Sequence, residues 1–263
     1  MAASFFTSDS PDRFVPTDAS RGPWDPDSCH AGPPTGLLAR ALERLVPDQP
    51  LRRITVDLVR PIPMAGFTIQ AEVVRRGRSV STTRATLVDL DGRPRITAAG
   101  LHLRRSSDAT PSSPIVPVAR LDEAVPGAFP ITRSLHGLPG FVTGTELRYP
   151  PGEVPQPGPT TAWMRTIPLL PDEEPSPFQR ICPLADCGNA LSRHVEPWEA
   201  RFVNPDLTVV LHRDPEGEWL GSDSASHWQP DGVGLADALL FDHRGPVGRA
   251  LQTLLLTPAE PLT

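Results

Sequence analysis

Residues 52–105, RRITVDLVRPIPMAGFTIQAEVVRRGRSVSTTRATLVDLDGRPRITAAGLHLRR, hold four extended runs in succession: RRITVDLVR (52–60), FTIQAEVVRR (67–76), SVSTTRATLVDL (79–90) and PRITAAGLHLRR (94–105). Their alternation and β-branched content mark strands with one face turned to a core. Arg76-Gly77 and Asp91-Gly92 divide strands as tight hairpins, where glycine is expected to supply the positive φ of a two-residue turn. Just upstream, after Pro34, TGLLARALERLV carries apolar residues at helical spacing. The unit reads as one helix followed by a four-strand meander.

The same plan occurs again. Ser176-Pro177 is a helix start, followed by FQRICPLADCGNALSRHV and then LTVVLHR (207–213), EWLGSDSASHW (218–228), VGLADALLF (233–241) and PVGRALQTLLL (246–256). A shift of 153 residues sets Leu38 to Arg105 on Leu191 to Pro258 without a gap, with 14 identities in 68 positions. Thr55, Val56, Leu58 and Arg60 fall on Thr208, Val209, Leu211 and Arg213, and the turn residues Asp89 and Gly92 fall on Asp242 and Gly245. We read this as a duplication. One helix on a bent antiparallel sheet is the hotdog unit, so the expected fold is α+β, a double hotdog with both helices against one continuous sheet. Residues 1–106 form the front hotdog, 107–140 a proline-rich connector and 141–263 the rear hotdog; two independent α+β domains are the alternative. Strands that follow one another without intervening helices disfavour a doubly wound α/β fold. The connector follows from proline, of which 15 of the 34 lie between Pro111 and Pro177, each lacking an amide donor.

Composition narrows the function. The chain has 263 residues with 38% hydrophobic and 21% charged residues, and its net charge of -6 disfavours tracking along nucleic-acid phosphates. All 25 basic residues are arginine, which removes Schiff-base lysine chemistry, Walker-type phosphate loops and the catalytic lysine of protein kinases. Cys29, Cys182 and Cys187 form no CxxC pair and suit a reducing compartment. The N-terminus has no signal-peptide pattern and no apolar run reaches membrane-spanning length, so a cytoplasmic protein without membrane insertion is expected.

Positions where one copy keeps a polar group that the other lacks point to chemistry. Gln252 shares a strand face with Ala250, Leu254 and Leu256, and its counterpart under the shift is Ala99. A buried amide must find partners, since an unmet donor costs about 1–3 kcal/mol; taken alone, a structural hydrogen bond explains it equally well. Asp186 stands in mid-helix, with Pro183 before it and Gly188-Asn189 after it, against Pro33 in the first copy. A carboxylate there is costly unless paired, and the neighbouring proline and glycine give up further local preference; the alternative is a surface Asp. Asn204 precedes Pro205 at the entrance to a strand, where turn chemistry is the ordinary reading, and faces Leu51.

At these residues the sequence resembles the acyl-CoA thioesterase II family of double-hotdog enzymes. The resemblance runs through CHAGPPTGLLARALE, LADCGNALS, FVNPDLTVVLHR and GRALQTLLL. It implies hydrolysis of an acyl-CoA to free fatty acid and CoA, with an Asp on the second helix, a Thr or other small polar residue at the next strand and a Gln on the last strand orienting the water. By local motif these fall on Asp186, Asn204 and Gln252; Asn204 departs from the commoner Thr. Asp186 is then expected to accept the proton, the amides of Asn204 and Gln252 to hold the water or carbonyl, and main-chain amides around Gly188 to bind the oxyanion and substrate. A non-catalytic acyl-thioester or lipid-binding protein on the same scaffold is the alternative. Dehydration of a hydroxyacyl thioester employs an Asp-His pair on the helix, and His194 lies eight residues from Asp186. Cys187 reads as a small buried hydrophobe, Asp89-x-Asp91-Gly92 as a hairpin turn, and the absence of GxSxG argues against an α/β-hydrolase. The seven His show no ligand spacing, so neither metal nor cofactor is expected. Exposed sheet edges leave room for a homodimer or higher assembly, and the sequence does not choose an oligomeric state.

Overall fold

Strand alternation in the sequence becomes alternation in burial. The computed structural model describes residues 4–106, 111–131 and 136–258. Its front half runs β1 (Phe6–Ser10), β2 (Arg13–Pro16), α1 (Gly32–Leu45), β3 (Leu51–Leu58), β4 (Phe67–Arg75), β5 (Val80–Asp89) and β6 (Pro94–Leu103). The rear half runs β7 (Val125–Gly127), β8 (Thr145–Tyr149), β9 (Thr160–Thr166), α2 (Pro177–Ala185), α3 (Gly188–Leu191), β10 (Ala200–Val203), β11 (Asp206–Leu211), β12 (Leu220–Trp228), β13 (Val233–Asp242) and β14 (Gly245–Pro258). They make one antiparallel sheet in the order β1-β2-β4-β5-β6-β3-β11-β14-β13-β12-β9-β8-β7, with β10 on β14. This is the double hotdog.

The four main strands of each half are not a simple meander. β3 pairs with β6 rather than β4, and β11 with β14 rather than β12. That crossover frees the outer edges of β3 and β11 to pair with each other, and Thr55 lies opposite Thr208 with their hydroxyls 3.2 Å apart. These two residues are 153 apart, so the axis relating the halves passes between them. β4 and β12 (67 and 220) and β5 and β13 (80 and 233) keep the same offset. Each half also opens with a hairpin that the alternation did not reveal: β1–β2 docks on β4, and β8–β9 on β12.

The offset breaks in the helices. α1 begins at residue 32 and α2 at 177, so about 145 relates them, and the residues gained between α3 and β11 form β10. Counted from the helix starts, Leu191, Arg193 and Glu196 are therefore not the equivalents of Leu38, Arg40 and Glu43, and Asp186 corresponds in sequence to the third turn of α1 rather than to Pro33, although in space it packs against Gly32. No carboxylate stands there among Arg40, Ala41 and Leu42. Of the two glycine turns, Gly92 has φ +78° as expected, but Gly77 is needed for close approach, since a Cβ on it would sit 2.3 Å from the Val80 carbonyl oxygen.

α1 packs on β3, β4 and β5, α2 on β11 and β12, and the two helices pack on each other. Glycine permits that crossing: a Cβ at Gly32 would lie 2.9 Å from Pro183 Cα, and one at Gly36 would lie 3.2 Å from the Gln179 oxygen. Leu37, Leu38 and Leu42 of α1 and Ile181 and Leu184 of α2 enter the common core. Glu43 is carried into this contact, accepting from Ser176 Oγ at 2.8 Å and Gln179 Nε2 at 2.7 Å. Burial pushes its carboxyl up from the ordinary range, against these donors. Within the segment expected as a connector, 107–110 and 132–135 lie outside the described residues; the remainder is more than a tether. Ala124 packs with Trp163 and Phe241, β7 pairs with β8, and Phe129 and Ile131 join the main core. Among the described residues no helix is long and apolar enough to cross a membrane.

Candidate active site

Helix α2 starts cleanly and ends early. Ser176 caps it by accepting from the Gln179 amide at 3.2 Å, and Pro177 occupies the first turn. Pro183 then withholds an amide inside the helix, which stops at Ala185. Asp186 is thus the residue that ends α2, with φ −84° and ψ 0°, and not a mid-helix residue; α3 resumes at Gly188. The break turns the carboxylate toward a cavity of about 940 Å³ while leaving Asp186 only 4% exposed.

Asp186, Asn204 and Gln252 do meet. Asn204 Nδ2 donates to Asp186 Oδ1 at 2.9 Å and to the Asp206 carbonyl at 3.1 Å. Gln252 Nε2 donates to the same Oδ1 and to the Asp186 carbonyl, both at 3.2 Å, while its Oε1 accepts from the Asn189 amide at 3.0 Å. Both amides therefore spend their donors on the carboxylate rather than on a water. Asn204 lines the cavity, whereas Gln252 reaches Asp186 from behind and lies outside the lining.

Gly188, expected beside the substrate, also stands behind the site. A Cβ there would lie 3.0 Å from Gln252 Oε1 and 3.8 Å from Ala236 and Ala238, so this glycine lets the amide close on the helix break. The Asn189 amide is occupied by Gln252. The Asn189 side chain is available instead: it lines the cavity, and Nδ2 makes only long contacts of 3.4 Å to the Phe202 carbonyl and Asn204 Oδ1.

Two further residues escaped the sequence reading. One is Asn189. The other is His30, whose Nδ1 stands 3.1 Å from Asp186 Oδ2 and whose ring stacks on Phe141 with centroids 4.0 Å apart. It comes from the front half, so the site is not confined to the rear one. Its only signal in the sequence was its place at the head of the glycine-containing stretch that opens α1.

The remaining wall is apolar and partly built by the segment after β7: Trp24, Ile62, Phe129, Ile131, Phe141 and Phe202. Cys182 and Cys187 bond the helix carbonyls of Phe178 and Pro183 at 3.2 and 3.1 Å, and burial pushes both thiols well above the ordinary range, which removes them as thiolate nucleophiles. Among the described residues no three His, Cys, Asp or Glu side chains gather to hold a metal ion. The arrangement can present a fixed carboxylate, an imidazole and an amide donor held only by long bonds to a group seated in an apolar cavity.

Solved structures share the whole fold. A candidate thioesterase II from Thermobifida fusca aligns with TM-score 0.74 at 17% identity, covering 96% of this chain and 95% of its own. An acyl-CoA thioesterase II from Mycobacterium marinum gives 0.66 at 18%, covering 98% and 96%. A protein of unknown function with a hot dog fold from Alicyclobacillus acidocaldarius gives 0.70 at 19%, covering 97% and 96%. No curated protein matches in sequence. Family profiles match twice: that of the acyl-CoA thioesterase N-terminal domain over residues 20–103, and that of the C-terminal domain over residues 117–256. With both domains matched in order and the C-terminal one alone spanning more than half its length, the chain belongs to the acyl-CoA thioesterase family.

Proposed function

We propose that the protein hydrolyses acyl-CoA thioesters in this cavity by direct attack of water. The observation that carries the reading is the Asp186 carboxylate, buried at the cavity wall with Oδ1 fixed by two amides and Oδ2 turned to His30. Burying a carboxylate and the Gln252 amide, with Asn204 and His30 half-buried beside them, is costly for a scaffold that merely holds an acyl chain. The same expenditure is rational where a water must lose a proton in a fixed place.

The apolar wall takes the acyl chain, and about 940 Å³ is at the upper end of ligand-sized cavities. The negative charge that draws a proton from the attacking water is that of Asp186. Asn204 and Gln252 hold this charge in one orientation, and Asn189 Nδ2 is the donor placed to meet the carbonyl oxygen as it becomes negative. Thiols take no part and no covalent intermediate is needed.

Release of free thiol from a panel of acyl-CoAs, with Asp186→Asn as the comparison, tests this. Turnover by the unaltered protein and a loss of about 10²-fold or more in kcat for Asp186→Asn are expected. Binding of acyl-CoA without thiol release would make the protein a carrier, and undiminished kcat in Asp186→Asn would remove Asp186 from the chemistry.

A further inference from the structure

The duplicated hairpin turn shows which arginine the front half has released. Asp89 and Asp242 hold the same place in the two copies, each buried at the end of a strand beside a β-bulge. A buried carboxylate needs a cation. In the rear half Arg213 supplies it: Nη1 and Nη2 each donate to Asp242 at 2.6 Å, while Nε and Nη2 donate to the Pro246 and Gly245 carbonyls at 3.0 and 2.8 Å. The front counterpart of Arg213 is Arg60, yet Asp89 is held by Arg95, whose Nε and Nη2 lie 2.8 and 2.6 Å from Oδ2. Arg95 is the residue that the β5–β6 register skips at its bulge, and the residue skipped by β13–β14 is Val247, buried in the core. With valine at that place the rear copy keeps Arg213 on the carboxylate. With arginine there the front copy leaves Arg60 over.

Arg60 is exposed and lines the cavity, and among the described residues its guanidinium makes a single long bond, from Nη1 to the Pro94 carbonyl at 3.3 Å. The other arginine of the lining, Arg21, is spent on Asp18 and on the Pro26 and Pro139 carbonyls, at 2.8, 2.8 and 2.6 Å. The Leu58 amide donates to the carbonyl of Pro205, the neighbour of Asn204, at 2.7 Å, so β3 delivers Arg60 two residues beyond the cluster around Asp186. Resting on the thioesterase reading, we propose that Arg60 binds a phosphate group of the CoA half of the substrate and so selects thioesters whose thiol carries phosphate. An acyl chain and a thioester carbonyl offer a guanidinium no anion; phosphate does, and the planar fork meets it with two parallel bonds. The chain's net charge of -6 gives a polyanion no overall attraction, which leaves its capture to a local cation. Arg60 touches the far end of the substrate and none of the reacting atoms, so it acts on binding.

Thiol release is followed on an acyl-CoA and on the matching acyl thioester of N-acetylcysteamine, which ends before any phosphate, with thermal unfolding as the folding control. In Arg60→Ala, KM for acyl-CoA should rise about 10-fold or more at nearly constant kcat, and the preference for acyl-CoA over the truncated thioester, as a ratio of kcat/KM values, should fall by the same factor. Arg60→Glu should raise KM further. Arg95→Val sets the rear residue into the front bulge; Asp89 then draws Arg60 back, and KM for acyl-CoA should rise although Arg95 lies outside the cavity lining. Wild-type KM in Arg60→Ala, or an equal loss on both thioesters, overturns the assignment while leaving the thioesterase reading intact. Wild-type KM in a folded Arg95→Val protein overturns the displacement on which the assignment rests. No thiol release from either thioester by the unaltered protein removes the thioesterase reading and this assignment with it.

Discussion

Replacing Gln252 by leucine removes an amide of similar size that never touches the cavity. Two consequences follow from its contacts. The Asn189 amide, which donates to Oε1 at 3.0 Å, is left buried without an acceptor, at about 1–3 kcal/mol. Asp186 Oδ1 loses one of its two donors, a charge-assisted bond worth roughly 1.5–3 kcal/mol. Added apolar burial offsets part of this, so a net loss near 3 kcal/mol is expected, which for a chain of this size lowers Tm by roughly 6–12 °C. Freed of that donor, the carboxylate rotates away from the orientation that Asn204 alone cannot enforce. Steady-state thiol release should show kcat reduced by 10-fold or more with KM little changed, because the side chain lies behind the site. Wild-type kcat in a folded Gln252→Leu protein would refute the idea that this amide orients Asp186; a raised KM at constant kcat would mean that it touches substrate after all.

Gly188→Ala places a Cβ 3.0 Å from Gln252 Oε1, and since the amide end can shift by a few tenths of an ångström, a several-fold fall in kcat, smaller than that of Gln252→Leu, is expected in the same assay. Cys182 and Cys187 are fully buried and their thiols pushed well up, and Cys29 is pushed up to about 12, all by burial first, so iodoacetamide at pH 8 should label none of them in the native protein and leave turnover unchanged; mass spectrometry of the native and denatured chain checks this. Glu43, raised by burial, holds its proton more tightly folded than unfolded, so its proton-linked stability is full below the unfolded value near 4.5 and is lost as pH rises through the folded one. Glu43→Gln lacks that loss, and its Tm relative to the parent should climb as pH rises from 4.5, a trend that calorimetry at stepped pH would detect.

Much of this molecule is legible in its sequence because period-two alternation reports a face. β4, β5, β12 and β13 begin within a residue or two of the runs that announce them, and the offset read from identities proved to be the separation of Thr55 and Thr208 at the junction of the halves. Pairing order is another matter. Alternation says which side of β3 is buried and nothing about which neighbour it bonds, so the placement of β3 beside β6 and β11 comes from tertiary packing. The opening hairpins were missed because β1 buries Phe6 alone and β2 only Phe14 and Pro16, too little for a period. At the site, asymmetry between the copies drew out Asp186, Asn204 and Gln252 even though the offset used for Asp186 was wrong in the helices. The direction of each amide was not legible, and two groups expected near water or substrate, Gln252 and Gly188, stand behind the carboxylate. His30 escaped because it is 156 residues from its partner and belongs to the other copy, so no local spacing could tie them.

Hydrolysis by direct attack of water, with Asp186 forming no bond to the acyl group, is tested most directly by one turnover of acyl-CoA with enzyme in excess in oxygen-18 water. Direct attack puts one oxygen-18 into the released carboxylic acid and none into the protein. Label in the peptide that contains Asp186 would show that its carboxylate had bonded to the acyl group, and would contradict the mechanism.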